Sequence, residues 1–309
     1  SWLTIPALLG PILGPLLGGL ITTYSHWRFI FLINLPIGAL GMWLAWRHIP
    51  LLKEPVQPLD WTGFALSGVG LALTMFGLAT LGRHMVNIGL ALGCVAVGAV
   101  VMGVYLWHAR RVAHPLIDLS LLQLPTYRIG VLGGSVFRIG IGAIPFLLPL
   151  MLQLGFGLNP LQSGAITFTS AAGAMFMKTL AARILKRYGF RKVMVFNAVA
   201  ASLMLATYGF FRPGTPYLLM VTLLLVGGCF RSLQFTSLNA IIYSEVDQAR
   251  MGQATSLAAM IQQISLALGV TVGGYALSLA SLATGQPTGV PINFTFAFLT
   301  IGLISASSV

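Results

Sequence analysis

The stretch GPILGPLLGG (residues 10–19) places four glycines and two prolines inside an apolar run that extends from Trp2 to Tyr24 without a charged residue. Glycine and proline at this density usually mark a loop. The run, however, has the length and composition of a membrane-spanning helix. The stretch therefore predicts a span that uses helix breakers for a structural purpose.

The spacing of the glycines indicates that purpose. Glycines four residues apart lie along one face of a helix, where the missing side chains let a second backbone come close. Prolines remove backbone donors and bend a span. We predict a bent helix packed tightly against a neighbouring span; the alternative is a plain GxxxG dimerisation face without a further role. The residues concerned are Gly10, Gly14, Pro15, Gly18 and Gly19.

The composition of the whole chain is incompatible with a soluble domain. Of its 309 residues, 57% are hydrophobic and 7% are charged, and the mean hydropathy is +0.91. These values predict an all-α polytopic membrane protein. The apolar runs of membrane length are 2–24, 28–46, 60–81, 86–107, 128–151, 160–184, 191–211, 216–243, 252–281 and 293–309. Both ends of the chain fall within such a run, so we expect a fragment of a longer protein.

The basic residues are distributed by connection rather than clustered on a soluble face. Of the 17 Lys and Arg residues, eleven fall in alternate connections, three in the opposite connections, and three within spans, at Arg138, Lys178 and Arg231. Because basic residues accumulate on the cytoplasmic side of membrane proteins, this distribution predicts that Ser1 is cytoplasmic. The same distribution argues against nucleic acid as a binding partner, although the net charge is +12.

Four further stretches form an ordered set of motifs with GPILGPLLGG. They are SHWRFIFLINLPIG (25–38), LDWTGFALSGVGLAL (59–73), HPLIDLSLL (114–122) and KRYGFRKV (186–193). The set resembles the fourteen-span drug:proton antiporter branch of the major facilitator superfamily, and GPILGPLLGG is similar to the antiporter motif of that family. The resemblance implies the fold of the superfamily, with this chain covering about spans five to fourteen.

The resemblance also implies a division of the chain. Residues 1–46 correspond to the last two spans of an incomplete amino-terminal bundle. Residues 47–127 form a linker region that holds an extra two-span hairpin. Residues 128–309 form the complete or nearly complete carboxy-terminal six-span bundle.

The stretch KRYGFRKV is similar to the second copy of a cytoplasmic loop motif of the family. Arg187, Gly189, Arg191 and Lys192 match that motif, whereas Lys186 stands at the position of its aspartate. In the family the loop latches neighbouring helices. A plain cytoplasmic basic cluster explains the same residues equally well.

Several polar side chains lie at membrane depth. Arg138 and Arg231 each lie near the middle of a span, where a charge is costly unless it faces a wet cavity or a protein partner. We predict that they line a central cavity; the alternative is that they are structural arginines bonded to helix carbonyls. The complete set of predicted cavity residues is Arg138, Arg231, Gln234, Gln262 and Phe146.

The five acidic residues all lie in connections or at the edges of spans, so this chain shows no obvious proton carrier. No nucleophile with a base and no set of metal ligands lies at membrane depth, so we predict neither an enzyme nor a cofactor or metal.

The resemblance implies a multidrug-type exporter of small amphipathic molecules that uses the proton gradient through alternating access. The alternatives are a same-fold exporter of one anionic or zwitterionic metabolite and a non-functional truncated fragment. We expect a monomer in the bacterial cytoplasmic (inner) membrane, with small molecules, protons and the lipid bilayer as its partners.

Overall fold

The computed structural model describes residue 14 and residues 16–48, 60–83, 86–112 and 115–308. This part of the chain consists of ten helices, in the order of the predicted spans, besides two 3₁₀ turns. Seven of the described helices are long and apolar enough to cross a membrane, which confirms an all-α polytopic membrane protein. The helices are α1 (16–24), α2 (Phe29–His48), α3 (Trp61–Arg83), α4 (Ile88–Ala109), α5 (Pro125–Gly155), α6 (Pro160–Tyr188), α7 (Phe190–Tyr208), α8 (Tyr217–Ile242), α9 (Met251–Thr284) and α10 (Pro291–Ala306).

Helix α5 is irregular along its length. It contains π-helical turns at Ile129–Gly133 and Met151–Gly155, and the regular helix is interrupted at Ala143. Pro145 has no N–H to donate to the preceding turn, which accounts for the interruption. The residues on either side of Ala143 therefore need not follow one straight axis.

Helices α5 to α10 pack around one large hydrophobic core. Large side chains fill it without exposure, among them Leu147, Met151, Leu224, Phe294 and Phe298. Helices α6 and α8 approach each other closely. A side chain at Gly173 would overlap the backbone of Leu225, and the Ser232 hydroxyl donates to the Ala174 carbonyl at 2.7 Å. Small residues allow such backbone contact in membranes, where van der Waals packing holds helices together.

The hairpin of α3 and α4 lies against α9. The Thr271 hydroxyl of α9 donates to the Leu78 carbonyl of α3 at 2.7 Å. A second hydrophobic core continues this contact beyond the ends of the helices and includes Tyr105, Leu121 and Tyr127. The hairpin is thus fixed to the helices that follow it.

Polar contacts join the connections that the basic residues predict to be cytoplasmic. Arg250 pairs with Asp118 at 2.7 Å and donates to the Ser120 hydroxyl. Partial burial raises the pKa of the Asp118 carboxyl, but the hydrogen bonds from Ser120 and the pairing with Arg250 outweigh it and hold this pKa below its ordinary value. These contacts place the part of the connection around residues 118–120 beside the turn between α8 and α9, as the predicted alternation of sides requires.

Candidate functional site

Three adjoining cavities run between α1, α5, α6, α7 and α8, and together we name them the α5–α6 cleft. The outermost, of about 380 Å³, begins beside Gly19 and Pro160. It adjoins a cavity of about 220 Å³, because Pro149 and Thr167 line both. Arg231 lines this second cavity and also a third of about 10 Å³. The cleft therefore leads from the start of α6, on the predicted external side, to the guanidinium of Arg231 at mid-span.

The two long walls of the cleft differ in chemistry. Residues of α5 form one wall, which is apolar at Leu148 and Pro149 and carries one amide, Gln153, in the outermost cavity. The other wall carries hydroxyls of α6, at Ser163, Thr167 and Ser170, which share a face because of their spacing. The Thr167 hydroxyl donates to the Ser163 carbonyl of its own helix at 3.0 Å, so this wall is only weakly polar. Such walls suit a molecule with both apolar and polar parts.

Arg231 supplies the only charge among the residues that line the cleft within the described part of the chain. The side chain of Arg231 is half-buried. Among the described residues it has no acidic partner and no hydrogen-bond partner. Tyr208 lines the same innermost cavity. A cation at this depth is costly unless water or a ligand reaches it.

Arg138 lies in a different environment from Arg231. Its side chain is 1% exposed, and the described residues offer its Nε and Nη1 atoms no hydrogen-bond partner. The guanidinium carbon lies 5.8 Å from the centre of the Phe235 ring on α8, and Nη1 lies against Gly134. Arg138 is therefore enclosed between α5 and α8 and lies outside the cleft.

The other predicted cavity residues are spread over the bundle. Gln234 is buried, and its Oε1 accepts a hydrogen bond from Asn197 Nδ2 at 3.0 Å, which ties α8 to α7. Gln262 is half-buried on α9, and Phe146 packs against the main hydrophobic core. The structure thus brings Arg231 alone of this set to the cleft, and a transport role for the set remains a prediction.

The glycine stretch makes its close contact at one position. A Cβ atom on Gly19 would lie 2.6 Å from the Pro160 carbonyl oxygen, whereas a Cβ atom on Gly14 or Gly18 would meet no atom of the described neighbours within 4 Å. Gly10 and Pro15 lie outside the described residues. Within the described residues the close approach to a neighbouring span is made by Gly19, and not by Gly14 or Gly18. Tight packing of the stretch as a whole stays a prediction.

The basic loop motif joins α6 to α7 through Gly189, whose φ of +79° favours glycine. Arg187, Arg191 and Lys192 are exposed. Within the described part of the chain, neither ion pair involves these cations. The latch implied by the resemblance remains a prediction.

Sequence reasoning did not identify Tyr208, Thr167 and Ser170 as cleft residues. Single hydroxyl residues are common in spans and carry no distinguishing pattern. Pro149 gave a usable signal, since a second proline in one span marks an irregular helix that needs support from its neighbours.

Comparison with known proteins identifies the family. Residues 130–309 match the Major Facilitator Superfamily. The chain belongs to this superfamily, and it is an integral, multi-pass membrane protein.

Its relatives include MdtD proteins, provisionally named for multidrug resistance. The chain is 32% identical to MdtD of Escherichia coli strain 55989 over 99% of its own length and 65% of the relative's. It is also 32% identical to MdtD of Salmonella paratyphi A, over 90% of its own length and 59% of the relative's. The chain thus spans about three fifths of the length of these relatives. Their bacterial origin agrees with the predicted location in an inner membrane.

Proposed function

We propose that the chain is part of a secondary active transporter that exports small amphipathic molecules by proton antiport through alternating access. The observation that carries the proposal is the α5–α6 cleft, which joins the predicted external side to a mid-span cation. One wall is mainly apolar and the other weakly polar, as an amphipathic substrate requires. In transporters of this kind the substrate site lies near the midplane of the membrane, between two bundles that rock about it.

Replacement of Arg231 tests this proposal. Cells that express the complete protein should export a fluorescent amphipathic dye, and Arg231→Gln should lower the initial rate at least tenfold, because the charged end of the cleft is lost. The matched control is Lys178→Gln, which removes an exposed cation of α6 that does not line the cleft. Collapse of the proton gradient should stop export by the parent protein. Full export by Arg231→Gln at equal protein level would contradict the assignment of the cleft.

The positive charge of Arg231 favours a second candidate function, the export of one anionic or zwitterionic metabolite. No carboxylate lines the cleft in the described part of the chain, so its single cation is left to attract an anion. A susceptibility profile separates the two candidates. Protection against several unrelated drugs supports the amphipathic exporter, whereas protection against none, with accumulation of one organic anion in a deletion strain, supports the second.

A further inference from the structure

A second concavity, separate from the cleft, lies where α6 ends and α7 begins. We name it the cytoplasmic groove. It has a volume of about 440 Å³, within the usual range for sites that bind small molecules. Its lining is mainly apolar and consists of Met177, Ile184, Tyr188, Lys192, Val193, Phe196, Asn197, Phe230 and Leu233. The positive-inside distribution places this end of the helices in the cytoplasmic leaflet.

The groove and the cleft lie on different faces of α8. Phe230 lines the groove, whereas its neighbour Arg231 lines the cleft. In addition, Asn197 closes the floor of the groove, where its Nδ2 donates to the Phe230 carbonyl at 2.7 Å and to Gln234. An occupant of the groove would therefore not enter the proposed substrate path.

The mouth of the groove is strongly basic. Lys192 lines it directly, and four other exposed cations lie close by in the chain, on the last turns of α6 and the first turn of α7, at Arg183, Lys186, Arg187 and Arg191. Neither ion pair of the described residues involves these cations: Asp118 pairs with Arg250 and Asp60 with His108. The other described acids, Glu245 and Asp247, lie in the turn between α8 and α9. The charge at the mouth is thus left for a ligand.

An apolar groove with a cationic mouth at the membrane surface matches the chemistry of one class of molecule. Water does not occupy an apolar groove of this kind, whereas an acyl chain can fill it. The phosphate of the same molecule then lies at the depth where lysine and arginine side chains reach the interface. We propose that the cytoplasmic groove binds an anionic phospholipid of the inner leaflet, with an acyl chain along α6 and α7 and the phosphate held by Lys192 and the cations around it.

Native mass spectrometry of the purified chain tests the proposal. The chain is equilibrated with phosphatidylglycerol and phosphatidylcholine that carry the same acyl chains, and the lipid retained by each protein ion is counted. We expect preferential retention of one phosphatidylglycerol. Because a lysine near an anionic surface contributes about 1 kcal/mol, Lys192→Gln should lower this preference roughly fivefold. Equal retention of both lipids by the parent chain would overturn the proposal.

Two further comparisons separate a built site from general attraction to a basic surface. Ile184→Trp fills the groove and keeps every cation, so this variant should no longer retain the lipid. Leu203→Trp adds a tryptophan at an exposed position of α7 outside the groove, so this variant should retain the lipid as the parent chain does. Lys178→Gln removes an exposed cation away from the groove and should leave the preference unchanged. An equal loss in Lys178→Gln and Lys192→Gln, or full retention in Ile184→Trp, would overturn the proposal. Because Lys192 is exposed, Lys192→Gln tests the site without risk to folding.

Discussion

Gly19 offers a direct test of how the glycine stretch works. A Cβ atom at this position would lie 2.6 Å from the Pro160 carbonyl oxygen and 3.1 Å from the Leu161 Cα. Ordinary contact begins near 3.4 Å, so Gly19→Ala requires α1 and the start of α6 to separate by about 0.8 Å. The obstacle is backbone, which cannot turn aside as a flexible side chain would.

The cost follows from this overlap. Overpacking of a close contact costs roughly 1–3 kcal/mol. Alanine also gains up to about 1 kcal/mol over glycine inside a helix. Gly18→Ala provides the matched control, because it gives the same gain on the same helix and meets no atom within 4 Å. The free energy of unfolding should therefore be about 1–3 kcal/mol lower for Gly19→Ala than for Gly18→Ala.

Titration of the purified chain from mild detergent into dodecyl sulfate, followed by tryptophan fluorescence, measures this difference. Gly14→Ala should behave like Gly18→Ala, since a Cβ atom on Gly14 also meets no atom of the described neighbours within 4 Å. Equal free energies for Gly18→Ala and Gly19→Ala would refute the assignment of the close contact to Gly19. A larger loss in Gly14→Ala and Gly18→Ala would instead restore the row of glycines four residues apart as the packing face.

Two more predictions concern the predicted cytoplasmic side. Because the folded chain holds the pKa of Asp118 below its ordinary value, the contact with Arg250 stabilises the protein above the unfolded pKa near 3.8 and is lost as the pH falls through the folded pKa. Melting curves at decreasing pH should show a loss of stability of about 1 kcal/mol or less from this contact. In Asp118→Asn the dependence of stability on pH should be weaker. An equal dependence of stability on pH in both proteins would count against the pair. Gly189→Ala should cost roughly 1–3 kcal/mol because its φ is +79°, whereas Gly214→Ala in an open turn should be nearly neutral in the same unfolding titration.

The sequence by itself determined the helices and their order. A span needs about twenty apolar residues whatever its neighbours are, so the runs were visible without knowledge of the packing. Pro145 and Pro149 act on the backbone of their own helix, so an irregular α5 is a feature that the sequence can predict without knowledge of the packing. The family was recognisable for a similar reason, since its motifs are short and continuous in the chain.

Only the tertiary structure decided how the individual side chains are used. Arg138 and Arg231 lie at similar depths in the sequence, yet Arg138 is enclosed beside Phe235 and Arg231 lines the cleft. Gly18 and Gly19 are neighbours, yet only Gly19 contacts α6. The sequence fixes the depth of a residue along its helix, whereas the rotation of that helix and the identity of its neighbours depend on contacts between residues far apart in the chain, and these contacts form only when the helices pack.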